Sequence, residues 1–216
     1  MTQSQKTAVE LHSKVPPDWY YSSIKRNLLQ RWWHKSRFSA VRKTVEPVNG
    51  KILDIGSADG MFTNVISEES GASEVVGIDV LAQSVKWANK HWKGKPMKFM
   101  VADAHKLNFP ANYFDAIFAL EVLEHVYKPD QVLREIKRVL KKGGYAIFLV
   151  PSDSKLFLTI WFLVKKFWWA KIWQDTHVQS YKNNSLPKLS KKLGFKIEVD
   201  KKFWLGMLHL VKVRKI

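Results

Sequence analysis

Cysteine is absent from all 216 residues, which excludes disulfides, thiolate–zinc sites and a cysteine nucleophile. No stretch reaches the ~18 consecutive apolar residues that a membrane-spanning helix requires. The first residues, Met1-Thr-Gln-Ser-Gln-Lys6, are polar and carry no hydrophobic signal core, so export is not expected and a cytoplasmic setting is. The seven histidines show no metal-ligand spacing with carboxylates, so no metal is expected. There is neither an internal repeat nor a low-complexity segment.

Acidic residues are scarce at both ends. Residues 51–150 hold 13 Lys/Arg against 12 Asp/Glu, whereas residues 1–50 hold 9 against 3 and residues 151–216 hold 14 against 4. The net charge of +17 therefore sits almost wholly on the flanks, and so do eight of the ten Trp. A lysine-rich surface often serves solubility alone. Lysine mixed with tryptophan in flanking segments points instead to an anionic partner.

The 46% hydrophobic content and the length suit one α/β domain with a proper core. Its organising stretch is Lys51-Ile-Leu-Asp-Ile-Gly-Ser-Ala-Asp-Gly60. A short apolar strand runs to Ile55, Gly56, Ala58 and Gly60 make a small-residue turn, and Met61 opens a helix. Strand, tight turn and helix N-terminus bring backbone N–H groups against a nucleotide-like ligand. A second apolar strand, Glu74-Val-Val-Gly-Ile-Asp79, ends in an acid 19 residues after Gly60, where a carboxylate grips a ribose diol.

Further strands are expected at Met97–Val101, Tyr113–Leu120 and Tyr145–Val150, alternating with helices at Gly60–Glu69, Ala82–His91 and from Pro129 to a stop at Gly143-Gly144. The last helix buries Val132, Leu133, Ile136, Val139 and Leu140. Alternation of this kind predicts a doubly wound, mostly parallel sheet with helices on both faces. A helix from Ser185 to Lys192 and alternating strands at Phe195–Val199 and Leu208–Val213 would complete it with an antiparallel edge. At the N-terminus, Pro16 and Pro17 make a turn, Ser22 or Ser23 caps, and a helix runs from Ile24 through Trp33 towards Val45.

Asp54-Ile-Gly-Ser-Ala-Asp-Gly60, Gly77-Ile-Asp79, Val101-Ala-Asp-Ala104, Phe114-Asp-Ala-Ile-Phe-Ala-Leu-Glu-Val-Leu-Glu-His-Val126 and Lys141-Lys-Gly-Gly-Tyr-Ala-Ile-Phe148 resemble, in order and spacing, the motifs of class I S-adenosylmethionine-dependent methyltransferases. The broad set that includes ubiquinone/menaquinone C-methyltransferases and many small-molecule methyltransferases is the most similar subgroup. The resemblance implies a seven-stranded Rossmann-like sheet, S-adenosyl-L-methionine as methyl donor and S-adenosyl-L-homocysteine as product. Three parts follow from it: an N-terminal helical cap over 1–45, a cofactor-binding core over 46–151, and an aromatic, basic lid with the C-terminal strands over 152–216.

The resemblance also assigns roles. Gly56, Ser57, Ala58 and Gly60 would approach the amino-acid end of the donor, with Asp54 organising the loop. Asp79 with Val80 would hold the ribose, Asp103 with Ala104 the adenine edge, and Leu120 with Glu121 would flank the donor. The family often has Cys-Gly where this chain has Ser57-Ala58, and Ala58 allows less backbone freedom. His177 and His125 are the candidate proton acceptors, since an imidazole titrates near working pH. Tyr20 or Tyr21 would help close the donor site. The missing cysteine sets aside the similar RNA C5-cytosine enzymes. The lack of an Asp/Asn-Pro-Pro-Tyr/Phe motif after Leu120 disfavours methylation of adenine N6 or of glutamine.

Residues Leu156 to Val164 are nine uncharged residues, followed by Lys165-Lys-Phe-Trp-Trp-Ala-Lys-Ile-Trp173. As a helix, this segment carries Trp161, Trp168 and Trp169 on its apolar arc, as expected of a peripheral helix on an anionic membrane surface. A lid over the substrate or a homodimer face is the alternative. The leading expectation is methyl transfer to a small or lipid-like acceptor. An RNA methyltransferase using the basic flanks is the second reading, with nucleic acid the weaker partner. A non-catalytic cofactor-binding partner protein is the third.

Overall fold

The architecture comes from a computed structural model, which describes residues 9, 10, 12, 15–152, 178–181 and 184–216. Seven strands form one sheet: β1 (Lys51–Ile55), β2 (Glu74–Asp79), β3 (Met97–Val101), β4 (Phe114–Leu120), β5 (Leu140–Pro151), β6 (Phe195–Phe203) and β7 (Leu208–Lys215). Their spatial order is β3-β2-β1-β4-β5-β7-β6. The first five pair in parallel, and β7 runs antiparallel between β5 and β6. The strand order reverses between β1 and β4, which opens a crevice at the carboxyl ends of these two strands.

Period-two alternation divides the core between the two faces of the sheet. Ile52, Val75, Ala116, Phe118 and Ile147 pack towards α2 (Leu28–Arg42), α3 (Met61–Ser70) and α4 (Ala82–His91), preceded by α1 (Trp19–Arg26). Leu53, Val76, Ile117, Ala146 and Phe148 pack towards α5 (Pro129–Val139) and α6 (Ser185–Lys192). Helix α5 buries Val132, Leu133, Ile136 and Val139 completely, so each supplies about 1.5–3 kcal/mol of transfer free energy as an upper bound.

Several boundaries differ from expectation; the strand expected to end at Val199, for one, runs on to Phe203. The N-terminal helix breaks at Asn27, whose backbone is extended, and α1 begins at Trp19 ahead of Ser22 and Ser23. Asn27 starts α2 afresh: its Oδ1 accepts the Gln30 N–H at 3.1 Å, as a helix cap does. Helix α5 ends at Val139, before Gly143-Gly144, because Leu140 is fully buried and already pairs with Phe114 as strand. The two glycines instead lie where the β4–β5 register shifts. A Cβ on Gly144 would stand 2.7 Å from the Asp115 carbonyl oxygen, so the close strand approach there requires glycine.

Candidate active site

The carboxyl ends of β1, β2 and β4, with the loop after β3, surround one cavity of about 490 Å³. Its polar side is built from Gly56, Ala58, Asp79, Val80, Asp103, Ala104 and Glu121. Asp54, Ser57, Gly60 and Leu120 do not line it and stand behind this wall.

The loop after β1 takes its shape from two left-handed glycines. Gly56 has φ 72°, and a Cβ there would lie 2.2 Å from Val122 Cγ2. Gly60 has φ 79° and caps α3, with Trp92 and Phe99 packed where a side chain would go. Ala58 is also left-handed, at φ 46°, a conformation that costs an L-residue about 1–2 kcal/mol. It is held there by Asp79, whose Oδ2 accepts the Ala58 N–H at 2.9 Å while Oδ1 accepts the Leu81 N–H at 2.8 Å. Each carboxylate oxygen keeps a second lone pair for a ligand hydroxyl. Burial raises the Asp79 pKa, against the lowering effect of these N–H groups.

Under the loop, Asp54 is 1% exposed and accepts the Thr63 hydroxyl at 2.6 Å, tying β1 to the first turns of α3. Burial pushes its carboxyl up to about 7, with the nearby Asp79 charge acting in the same sense. Asp59, absent from the sequence reading, is equally buried. Its Oδ2 accepts the Tyr21 N–H at 2.8 Å and its Oδ1 the Met61 N–H at 3.2 Å, so it fastens α1 to the loop. Burial raises this carboxyl to about 6.

Asp103 is 6% exposed and accepts from His105 twice, through the backbone N–H at 2.9 Å and Nδ1–H at 2.7 Å. His105 also lines the cavity and was not anticipated. Opposite them, Arg37 from α2 donates to Glu121 at the end of β4 and to His34 Nδ1. Since His34 Nδ1 accepts, its Nε2–H is left to face Ser23 Oγ at 3.4 Å, and the ring is neutral. Burial, reinforced by the Arg37 charge, lowers its pKa to about 2. Glu121 itself stands at φ 58°, a strained position at the cavity wall. Arg37 Nε and Glu121 Oε1 are buried with no hydrogen-bond partner among the described residues.

Tyr20 and His125 line the cavity too, and the His125 ring meets the edge of His12 with centroids 4.7 Å apart. Burial, then the Glu121 charge, raises the Tyr20 hydroxyl pKa. Tyr21 is directed elsewhere. Its ring packs on His91 and Trp87, because its backbone is committed to Asp59 and successive helical residues point about 100° apart. His177, Trp161, Trp168 and Trp169 lie outside the described residues. The apolar side of the cavity is instead formed by Trp32, Trp33, Trp204, Met207 and Pro151.

Comparison with known proteins is consistent with this geometry. A family described as a methyltransferase domain matches residues 53–148. The chain is 32% identical over 162 residues to a ubiquinone/menaquinone biosynthesis C-methyltransferase of Pseudomonas paraeruginosa, covering 71% of this chain and 62% of that protein. It is 28% identical over 157 residues to the demethylmenaquinone methyltransferase of Thermotoga maritima, covering 72% and 67%. A further ubiquinone/menaquinone biosynthesis C-methyltransferase, of Desulfotalea psychrophila, is matched over 47% of its length. The chain thus spans about half to two thirds of these relatives. In fold, it superposes on a geranyl diphosphate methyltransferase solved with GPP and sinefungin, at TM-score 0.76 over 100% of both chains and 10% identity.

Proposed function

We propose that the core of this chain is a class I S-adenosylmethionine-dependent methyltransferase domain and that the protein transfers a methyl group to a small, largely apolar acceptor that carries a hydrogen-bonding oxygen. The observation that carries this reading is one continuous cavity with carboxylates and backbone N–H groups on one wall and tryptophans on the other.

The residues present fit the donor. Gly56 leaves the backbone bare, Asp79 has acceptor capacity for the ribose hydroxyls, and Asp103 with the Ala104 backbone stands at the next strand end for the adenine edge. Asp54, Ser57, Gly60 and Leu120 support this wall from behind. When bound, the donor supplies a methyl group on a sulfonium, which leaves as S-adenosyl-L-homocysteine. The chain's own contribution is chiefly to align acceptor and donor and to exclude water. Helices α1 and α2 act as the cap: Tyr20, Trp33 and Arg37 cover the cavity, and Asp59 ties α1 to the glycine loop. Where the polar wall meets the tryptophans, the Arg37–Glu121 pair, with Gln30 and His34 of α2, provides polar groups for the acceptor. His125, at the cavity edge, is the candidate to take a proton from an acceptor hydroxyl. The quinone-type acceptors named for the relatives have this mixed chemistry.

The test is calorimetric titration with S-adenosyl-L-homocysteine, followed by methyl transfer from labelled donor to hydroquinones of increasing tail length. Donor binding with transfer that improves as the tail grows supports the reading. Binding without transfer to any organic acceptor in a crude extract would make the protein a cofactor-binding partner instead.

A further inference from the structure

Three apolar side chains stand out in the solvent on one side of the cavity mouth: Leu28 at 77% exposure, Trp32 at 59% and Leu205 at 84%. Leu28 and Trp32 lie four residues apart at the start of α2, hence on one face of that helix. Leu205 is at the tip of the β6–β7 hairpin, and its neighbour Trp204 joins the two elements. The Trp204 ring meets Trp32 at 4.3 Å and Trp33 at 4.8 Å between centroids. The hairpin tip is itself strained, with Trp204, Leu205 and Gly206 at φ 55°, 52° and 80°. Two bulky residues held in the left-handed region keep Leu205 outside the core at a conformational cost.

Two further facts say what covers this ridge. It is continuous with the cavity, because Trp32, Trp33, Trp204 and Met207 line its apolar wall. The segments that carry it also hold charge of one sign. Neither residues 19–45 nor residues 201–216 contain an Asp or Glu; Lys25, Arg26 and Lys35 are exposed on the helical side, and Lys201, on the same face of β6 as Phe203, is exposed on the hairpin side, whereas Asp200 and Lys202 alternate onto the opposite face. Aromatic and aliphatic groups set within a cationic rim match an anionic lipid surface, with apolar groups entering the acyl boundary and lysines meeting phosphates.

We propose that the Leu28–Trp32–Leu205 ridge docks on an anionic lipid surface, so that a lipid-like acceptor passes from the bilayer along the Trp32–Trp204 wall into the cavity. The identity of the incoming molecule rests on the methyltransferase reading; the docking itself does not.

Co-flotation of the full chain with phosphatidylcholine vesicles, with and without phosphatidylglycerol, tests it at low and moderate salt. The Leu28→Ser/Leu205→Ser double variant, altered at two exposed positions outside the cavity lining, is run alongside. Wild type should float with the phosphatidylglycerol vesicles at moderate salt, and the double variant should bind at least ~10-fold more weakly. S-adenosyl-L-homocysteine titration should be the same for both proteins. Absence of wild-type flotation, or equal flotation of both proteins, overturns the proposal. So does a ridge that is instead buried by self-association, seen as a dimer that the double variant dissolves. Flotation lost in the variant while neither protein binds S-adenosyl-L-homocysteine would uphold the docking surface and sink the methyltransferase reading.

Discussion

Arg37 and Glu121, 84 residues apart in sequence, meet as an ion pair whose side chains are 3% and 16% exposed. The pair joins a helix of the basic N-terminal flank to the strand end that borders the cavity. An arginine this deep is stable only while its partner compensates the lost hydration. Arg37→Met should therefore destabilise the protein by about 3–5 kcal/mol in urea unfolding. Adding Glu121→Gln should restore part of that loss, since the unpaired carboxylate goes with it. Strictly additive effects in this double-mutant cycle would show that the two charges do not support each other.

Ala58 pays a conformational penalty at φ 46° that glycine would not. Ala58→Gly keeps the N–H that Asp79 accepts, so only backbone freedom changes. After the extra entropy of the unfolded glycine, the expected net gain is about 0.5–1 kcal/mol, or a rise in Tm of about 1–4 °C. A fall in Tm would mean that the loop is not strained.

Asp79 holds the Ala58 and Leu81 N–H groups, and the proposed function adds a ligand hydroxyl to them. Asp79→Asn retains one acceptor oxygen and loses the charge. Affinity for S-adenosyl-L-homocysteine should drop by roughly 10–100-fold, as for loss of a charge-assisted hydrogen bond. Unchanged affinity in calorimetry would remove Asp79 from the donor site.

Asp54, with its carboxyl raised from 3.8 to about 7, makes stability fall as pH rises. Between those values the folded chain keeps a proton that the unfolded chain has released, so raising the pH favours unfolding. His34 acts the other way. It stays neutral in the fold, and its contribution is lost as pH falls below about 6.5, where the unfolded imidazole binds a proton. Asp54→Asn separates the two: it should stabilise the protein by roughly 1–3 kcal/mol at pH 8, with the gain shrinking towards pH 5. A gain independent of pH would mean that Asp54 titrates normally.

Most of the sheet and the residues at its strand ends that line the cavity were legible because each depends on a short stretch of chain. Ile52 and Leu53 alternate faces within one strand, and the Gly56–Gly60 turn and Asp79 follow from strand–turn–helix spacing. Arg37, His34, Asp59 and His105 were missed because their neighbours along the chain look like ordinary helix or turn surface. Arg37 is one basic residue among many in a segment without acids, and only the docking of α2 buries it. A helical pattern running through Asn27 likewise hid the break, although asparagine as a potential cap was the available signal. The paired glycines before Tyr145 read as a helix stop, whereas the buried side chain of Leu140 begins the strand earlier.

The sequence alone determined the alternating strands and helices, the bare-backbone turn after β1 and the acid at the end of β2, since these rest on periodicity and local backbone sterics. Tertiary structure decided which charges are buried, which tryptophans wall the cavity and which apolar residues stay in water. Those outcomes depend on how separate elements meet. Trp32 and Trp204 lie in distant parts of the chain and become one surface only when α2 and the β6–β7 hairpin pack side by side.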